Sequence, residues 1–292
     1  MARRVRFLIL LVVAPVLIWD SAVRGQTPDA ARVIAAARDA LGGDKNLTAV
    51  KTFVATGRTR QLRGNNLVPI EFEIDCELPD KYVRKDEFPA QDQDATVTGF
   101  RGDELILGPP PPAGRGGPPP AQRLMTAKQD FARLMLGAFA ASFPSYPLTF
   151  KYAAEGEAPE GKADILDVNG PPPFAARFVI QRDTHLPVML MWQQPAPPAG
   201  ARAGGPPGGV PPAAGAAPAG APAPSRAEGP APSRVEGPPE NRLYFADYRD
   251  VKGAKWPFRI RRAVGSNTIE ETTFDRVTIN GKIDPKKFEA PK

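Results

Sequence analysis

The sequence predicts a mainly β fold of the α+β kind: a strongly curved antiparallel sheet forming an incomplete barrel around an N-terminal helix and a mid-chain lid helix. Three observations carry this. From Leu67 to Leu78 (LVPIEFEIDCEL), Val68, Ile70, Phe72, Ile74, Cys76 and Leu78 fall on one parity, and Pro69, Glu71, Glu73, Asp75 and Glu77 on the other. A strand sends alternate side chains to opposite faces, so this one has an oily face and an acidic, wet face, as in an antiparallel sheet solvated on one side. Strand-like runs of this length recur along the chain, whereas helical spacing occurs in only two places. A sheet of about ten strands tends to curl, and two helices are too few to cover it flat.

The chain opens with Arg3, Arg4 and Arg6, followed by an unbroken apolar run from Phe7 to Trp19, 13 residues long and short for a bilayer span. Val23-Arg24-Gly25 suits cleavage. Residues 1–25 therefore read as a signal peptide, with an uncleaved anchor as the alternative, and 26–292 as a single domain lying in the periplasm. No Cys follows the apolar run, so the signal is not that of a lipid-anchored lipoprotein.

Thr27 as cap and Pro28 as first residue open a helix through Val33, Ile34, Ala37 and Leu41, which Gly42-Gly43 ends. Strands are expected at about 50–62, 67–78 and 81–87, then at 96–100 and 104–107 around the turn Arg101-Gly102-Asp103. The Pro/Gly-rich loop 109–121, PPPPAGRGGPPPA, suits neither sheet nor helix. Leu124, Phe131, Leu134, Met135 and Ala138 then place a helix over about 122–140, with Met125, Leu136 and Phe139 widening its apolar face. Such a helix is either packed core or a lid whose inner face touches ligand.

Strands resume at about 148–153, 163–168, 173–181, 185–194, 241–251, 256–264 and 268–280. Leu186 to Trp192 (LPVMLMW) is apolar on both parities, so neither of its faces should be fully wet. Residues 195–240 hold 14 Pro, 9 Gly and 13 Ala and an imperfect repeat, SRAEGPAP then SRVEGPPE. Their composition cannot bury enough surface to offset chain entropy. They read as a disordered or polyproline-like excursion between two strands of the same domain, a loop length that closure entropy tolerates.

The net charge of +6 includes a net +3 from residues 1–25, where Arg3, Arg4, Arg6 and Arg24 face Asp20, leaving +3 for the remainder. That is too mild for a nucleic-acid binder. The late basic residues (Arg259, Arg261, Arg262, Lys282, Lys286, Lys287 and Lys292) read as solvated surface, with contact to an anionic membrane as the sharper alternative. The single Cys76 cannot form an internal disulfide and reads as a buried, inert thiol. His185, the only histidine, sits beside Asp183 and Thr184 just before a strand, where a turn residue is expected. A Ser–His–acid triad would need it as base, and a His-ligated metal would need companions it lacks. P-loop, GxGxxG and HExxH motifs are absent. Glu71, Glu73, Asp75 and Glu77 align on one face, and a solvated exterior is the simpler reading than weak calcium binding. No catalytic residue, metal or cofactor is therefore expected, and a hydrolase using paired carboxylates is kept only as an outside alternative.

The order of these pieces resembles the LolA-like family of periplasmic lipoprotein carriers and related lipid-binding proteins. Leu41-Gly42-Gly43 followed by LTAVKTFVATG (Leu47 to Gly57) is similar to the family's opening helix and first long strand. Cys76-Glu77-Leu78-Pro79 running on to Lys81-Tyr82-Val83-Arg84 looks like its strand–Pro–strand corner, and GFRGDEL (Gly99 to Leu105) like its Gly-Asp hairpin. DTHLP (Asp183 to Pro187), FADYRDVKGAKWPFRI (Phe245 to Ile260) and IDPKKFEAP (Ile283 to Pro291) resemble its late turn, its Tyr…Gly…Pro hairpin and its closing segment. The resemblance implies an incomplete barrel around helices that lid a hydrophobic cavity, with binding of acyl chains and no catalysis or metal. One position departs: lipoprotein carriers of the family have Arg immediately before the corner Pro, where this chain has Leu78. A relative that binds or senses another hydrophobic molecule is the alternative.

The expected function is thus periplasmic binding or carriage of a lipid or lipoprotein acyl chain by a monomer, with a membrane-associated protein as a further partner. The cavity is expected to be lined by Ile70, Phe72, Ile74, Met189 and Met191 from the sheet and by Phe131 and Met135 from the helix. The rival is a structural or signalling module with a filled core, meeting a protein through its sheet edge or Pro-rich insert.

Overall fold

A computed structural model of the chain describes residues 29–109, 117–158, 160–193 and 239–290. Helix α1 (Ala30–Ala40) and the short α2 (Asp44–Ala49) precede strands β1 (Thr52–Arg63), β2 (Asn66–Glu77), β3 (Lys81–Glu87), β4 (Thr96–Arg101) and β5 (Glu104–Gly108). Helix α3 (Pro120–Phe139) leads to β6 (Thr149–Ala158), β7 (Gly161–Asn169), β8 (Ala175–Gln181), β9 (Pro187–Gln193), β10 (Glu240–Val251), β11 (Ala254–Val264) and β12 (Asn267–Ile279). The strands form one antiparallel sheet in the order β5-β4-β3-β2-β1-β12-β11-β10-β9-β8-β7-β6. Pairing of β1 with β12 joins the two halves, and the edges β5 and β6 stay apart, so the sheet curls without closing.

α3 connects those two edge strands and lies inside the curl, against β4 and β5 on one side and β9 and β11 on the other. Its apolar face packs as core: Met135 and Leu136 are fully buried, and the Phe131 ring centre lies 5.4 Å from Phe100 and 5.6 Å from Tyr82. Burying each such side chain contributes about 1.5–3 kcal/mol. Gly137 lets the helix approach the sheet, because a Cβ there would lie 2.3 Å from the Phe245 ring. The Tyr248 hydroxyl, 2.8 Å from the Gly137 carbonyl and 3.0 Å from that of Pro187, shares its proton between helix and sheet. Arg38 of α1 donates to the Phe139 carbonyl at 3.0 Å, satisfying an acceptor that the end of α3 leaves free.

The alternation in β2 is as expected, with Val68, Ile70, Phe72, Ile74 and Cys76 buried. Its acidic parity is not simply solvated. A 3₁₀ turn, Pro285–Phe288, lays the end of the chain over that outer face, and Phe288 packs with Val83 and Ile106. Lys287 reaches both Glu73 and Asp75, and Asp75 is only 5% exposed. Here an outer surface has been made into a second, smaller core, because the closing segment brings its own apolar anchor.

Three boundaries differ from expectation. α1 is capped by Asp29, whose carboxylate accepts from the Ala31 amide at 3.4 Å, and Thr27 and Pro28 lie outside the described residues. α3 begins at Pro120, inside the segment expected to stay out of any helix, because proline lacks only an amide that the first turn does not use. β10 already includes Glu240, and 194–238, which holds nearly all of the excursion, lies outside the described residues, as do residues 1–25, where a signal peptide is expected. Cys76 is fully buried, and burial pushes its thiol well above the ordinary range. His185 is the turn residue expected, with φ of 56°.

Candidate functional site

Two cavities of opposite chemistry flank α3. The first, about 520 Å³, lies at the end of the curl closed by α1 and α2. Ile34, Leu47, Val50, Leu78, Phe139, Phe143 and Phe150 line it. Its walls come from segment ends: the C-terminal turn of α3 and the loop after it, the corner Leu78-Pro79, and the chain entering β1. The Ala140 backbone, at φ of 45°, stops α3 and turns Phe143 back against Phe131 and Phe139, with ring centres 5.8 and 5.9 Å apart.

The second cavity, about 360 Å³, lies between the middle of α3 and the far ends of β1, β3, β11 and β12. Four guanidiniums (Arg63, Arg84, Arg133 and Arg262) and three carboxylates (Asp86, Asp130 and Glu270) line it, together with Ile70, Ile74 and Trp192. Most of these charges are paired. Arg84 donates to Asp86 at 2.8 Å and to the Thr59 hydroxyl at 3.2 Å, and its guanidinium lies 4.6 Å from the Phe72 ring centre. Burial opposes the charge on Arg84, but Asp86 and neighbouring groups leave its pKa raised. Arg133 donates to Asp130 at 2.7 Å, and Gln61 to Glu270 at 3.1 Å. Burial lowers the pKa of Arg133, and Arg262 adds to this by repulsion. The Nε atoms of Arg133 and Arg262 are both buried with no hydrogen-bond partner. A buried donor left unpaired costs about 1–3 kcal/mol.

No family model matches the chain, and no curated protein sequence matches it. Among solved structures, a LolA superfamily protein from Nitrosomonas europaea is similar with a TM-score of 0.52 at 9% identity, covering 90% of this chain and 98% of that one. The fold is LolA-like. A DUF1329 family protein from Desulfovibrio piger (TM-score 0.46, 8% identity, 89% of this chain and 97% of that one) is also similar. So is a Vibrio parahaemolyticus domain assigned to outer membrane lipoprotein sorting (TM-score 0.48, 10% identity, 89% of this chain and 97% of that one).

Within this LolA-like half-barrel the seven residues singled out in the sequence do not share one cavity. Phe72, Ile74, Phe131 and Met135 meet in the main core beneath α3, each at most 3% exposed. Ile70 packs with Val68 and Phe88 at the rim of the charged cavity. Met189 and Met191 pack with Ala163 and Val179, on the face opposite Leu190 and Trp192, which are the residues of β9 that turn to the helix. The expected dry neighbours on both faces of β9 are therefore present, and they are two separate clusters.

The charged cavity was missed by sequence reasoning, yet it left a signal. Tyr82, Arg84 and Asp86 share one parity of β3, as do Thr59, Gln61 and Arg63 in β1, and Glu270 and Thr272 in β12. In each strand the same parity carries a buried aromatic at its other end (Tyr82, Phe53, Phe274), so the polar residues had to face inward too. Among the described residues no helix is long and apolar enough to cross a membrane, and no group of three His, Cys, Asp or Glu is placed to hold a metal ion.

Proposed function

We propose that this chain binds an acyl chain or a comparably apolar lipid in the cell envelope, as a non-catalytic carrier. The apolar cavity at the α1–α2 end carries the reading. Its volume falls within the roughly 300–1,000 Å³ usual for small-molecule sites. Apolar side chains dominate its wall, and each methylene buried there would contribute about 0.8 kcal/mol. The signal-like N-terminus supports a periplasmic setting, where delivery would involve a membrane-associated protein. A longer chain would be admitted by lifting the C-terminal half of α3, which would uncover Phe131, Met135, Phe72 and Ile74. Met189 and Met191 take no part in that route.

The test is to express the chain with its own signal in a periplasm, purify it gently and extract it for lipid mass spectrometry, alongside titration with a fluorescent fatty acid. Recovery of lipid and saturable binding are expected, with binding weakened at least about tenfold by Ile34→Glu, which puts a charge into the apolar wall at a partly exposed position. No lipid and no binding would sink the reading.

A second reading has its own observation. The core under α3 is dense, with Met135 and Phe131 at most 1% exposed. That suits a module that meets a protein partner and carries no cargo. Deleting 195–238 discriminates: loss of partner capture with fatty-acid binding unchanged favours the module.

A further inference from the structure

We propose that Arg133 and Arg262, both lying against the Trp192 ring, form a binding site for the anionic group, phosphate or carboxylate, of an amphiphilic ligand. The identity of the ligand as an amphiphile rests on the lipid reading above; the anion site itself does not. Arg133 projects from α3 and Arg262 from the end of β11, and their guanidinium carbons lie 4.4 and 5.7 Å from the Trp192 ring centre. The charged cavity and an adjoining one of about 350 Å³ are both lined by these three residues and Asp130.

Three features point to a missing anion. Asp86 and Asp130 are already ion-paired with Arg84 and Arg133, while Glu270, which stands opposite Arg262 across β11 and β12, accepts from Gln61 and makes no ion pair with Arg262. Arg262 has no carboxylate partner among the described residues and bonds only the Asn241 side-chain oxygen, at 3.4 Å. Both guanidinium Nε–H donors left without a partner among the described residues belong to this pair, and the two like charges share one indole with Asp130 as their only ion-paired carboxylate. A planar guanidinium presents its donors in a fork that suits carboxylate and phosphate oxygens, and stacking on Trp192 holds both forks in place.

The site also has the right neighbourhood for a head group whose tail is apolar. Ile70, Ile74, Leu243 and Ile260 line the same cavity on the sheet side. Anion and first methylenes would be received together, apart from the apolar cavity at the other end of α3.

Octyl phosphate, octyl glucoside and inorganic phosphate, each below its micellar range where one exists, are titrated into the purified chain by calorimetry. Wild type is expected to bind octyl phosphate at least about tenfold more tightly than octyl glucoside, the worth of a charge-assisted pair. Arg262→Gln and Arg133→Gln should each bring the ratio to within about twofold through loss of octyl phosphate affinity, while Arg262→Lys retains part of it. An unchanged far-ultraviolet circular-dichroism spectrum certifies that a variant is folded. Phosphate that binds alone, and is lost in Arg262→Gln, supports the anion site and assigns it to a free anion, even if neither amphiphile binds and the lipid reading fails. Equal affinity for both octyl compounds in wild type, without phosphate binding, overturns the anion site and leaves the lipid reading standing. A preference that survives both glutamine variants overturns it as well.

Discussion

At its C-terminal end α3 closes a cavity walled by Phe139, Phe143, Leu47 and Leu78; six to nine residues earlier the same helix holds Arg133 and Asp130 over a cavity walled by arginines and carboxylates. The two are about 9–14 Å apart along one helix axis. β1 makes the same passage, from Phe53 among aromatic rings to Thr59, Gln61 and Arg63. One sheet face therefore serves two solvation regimes. The apolar end gains free energy from burial. The charged end must offset desolvation by pairing, and it does so incompletely. Stability should then reside at the apolar end and in the aromatic middle, and ligand chemistry should be divided between the ends.

The largest expected effect lies in the middle that separates them. Met135→Ala removes a fully buried side chain with Phe131 and the sheet around it, so a loss of about 2–5 kcal/mol is expected in urea unfolding. A loss below 1 kcal/mol or so would mean that α3 rests on the sheet as a loose lid and that the two cavities merge.

Next comes the charged wall. Asp86→Ala leaves Arg84 without its carboxylate while its side chain is only 25% exposed. A cost of about 1–3 kcal/mol is expected, and the double variant Asp86→Ala with Arg84→Met should recover much of it. If the single variant is neutral, water reaches the arginine freely and the charged end is open surface.

A smaller effect is expected on the outer face, where Lys287 ties the closing segment to β2. The hydrogen bond from Lys287 holds the Glu73 carboxyl below its usual value against the pull of burial. Asp75 is pushed up by burial, which Lys287 only partly offsets. A depressed carboxyl stabilises above its usual range and loses that contribution as pH falls through the folded value. A raised one costs stability at neutral pH, and the cost disappears as it takes up a proton. Lys287→Ala should therefore cost about 1 kcal/mol or less near pH 7, since the ammonium is nearly half exposed, and the gap to wild type should shrink toward about pH 4. A gap that widens with acid would contradict the pairing.

The same contrast governs what could be read from the chain. β2 announced itself because five buried residues alternate with acids, and α3 because Phe131, Met135 and Leu134 recur at helical spacing. The apolar cavity gave no such sign. Val50, Leu78 and Phe143 sit at corners and loops, where no period links them and only the fold brings them together. Met189 and Met191 were placed in the lining because LPVMLMW has no polar parity to say which side is inward; pairing with β8 and β10 decides it. The charged cavity was legible in part, as polar residues continuing an inward parity in β1, β3 and β12. That Arg133 and Arg262 would meet across Trp192 depends on where α3 crosses β9 and β11, which no local pattern contains.

The smallest stability effect is the most diagnostic for the comparison. Arg262 is half-buried with its Nε enclosed, lies near Trp192 and is unpaired with any carboxylate among the described residues. If it were there to hold the fold, its replacement would cost what other buried polar deletions cost. Held there for a ligand, it is a local burden in the empty protein, and an apolar side chain of similar length should fit at least as well. Arg262→Met is expected to change unfolding free energy by less than about 1 kcal/mol, or to raise it, while relieving the repulsion on Arg133. A clear destabilisation, beyond about 2 kcal/mol, would make Arg262 a structural strut and would shift the division between the two ends of α3 from ligand chemistry back to folding.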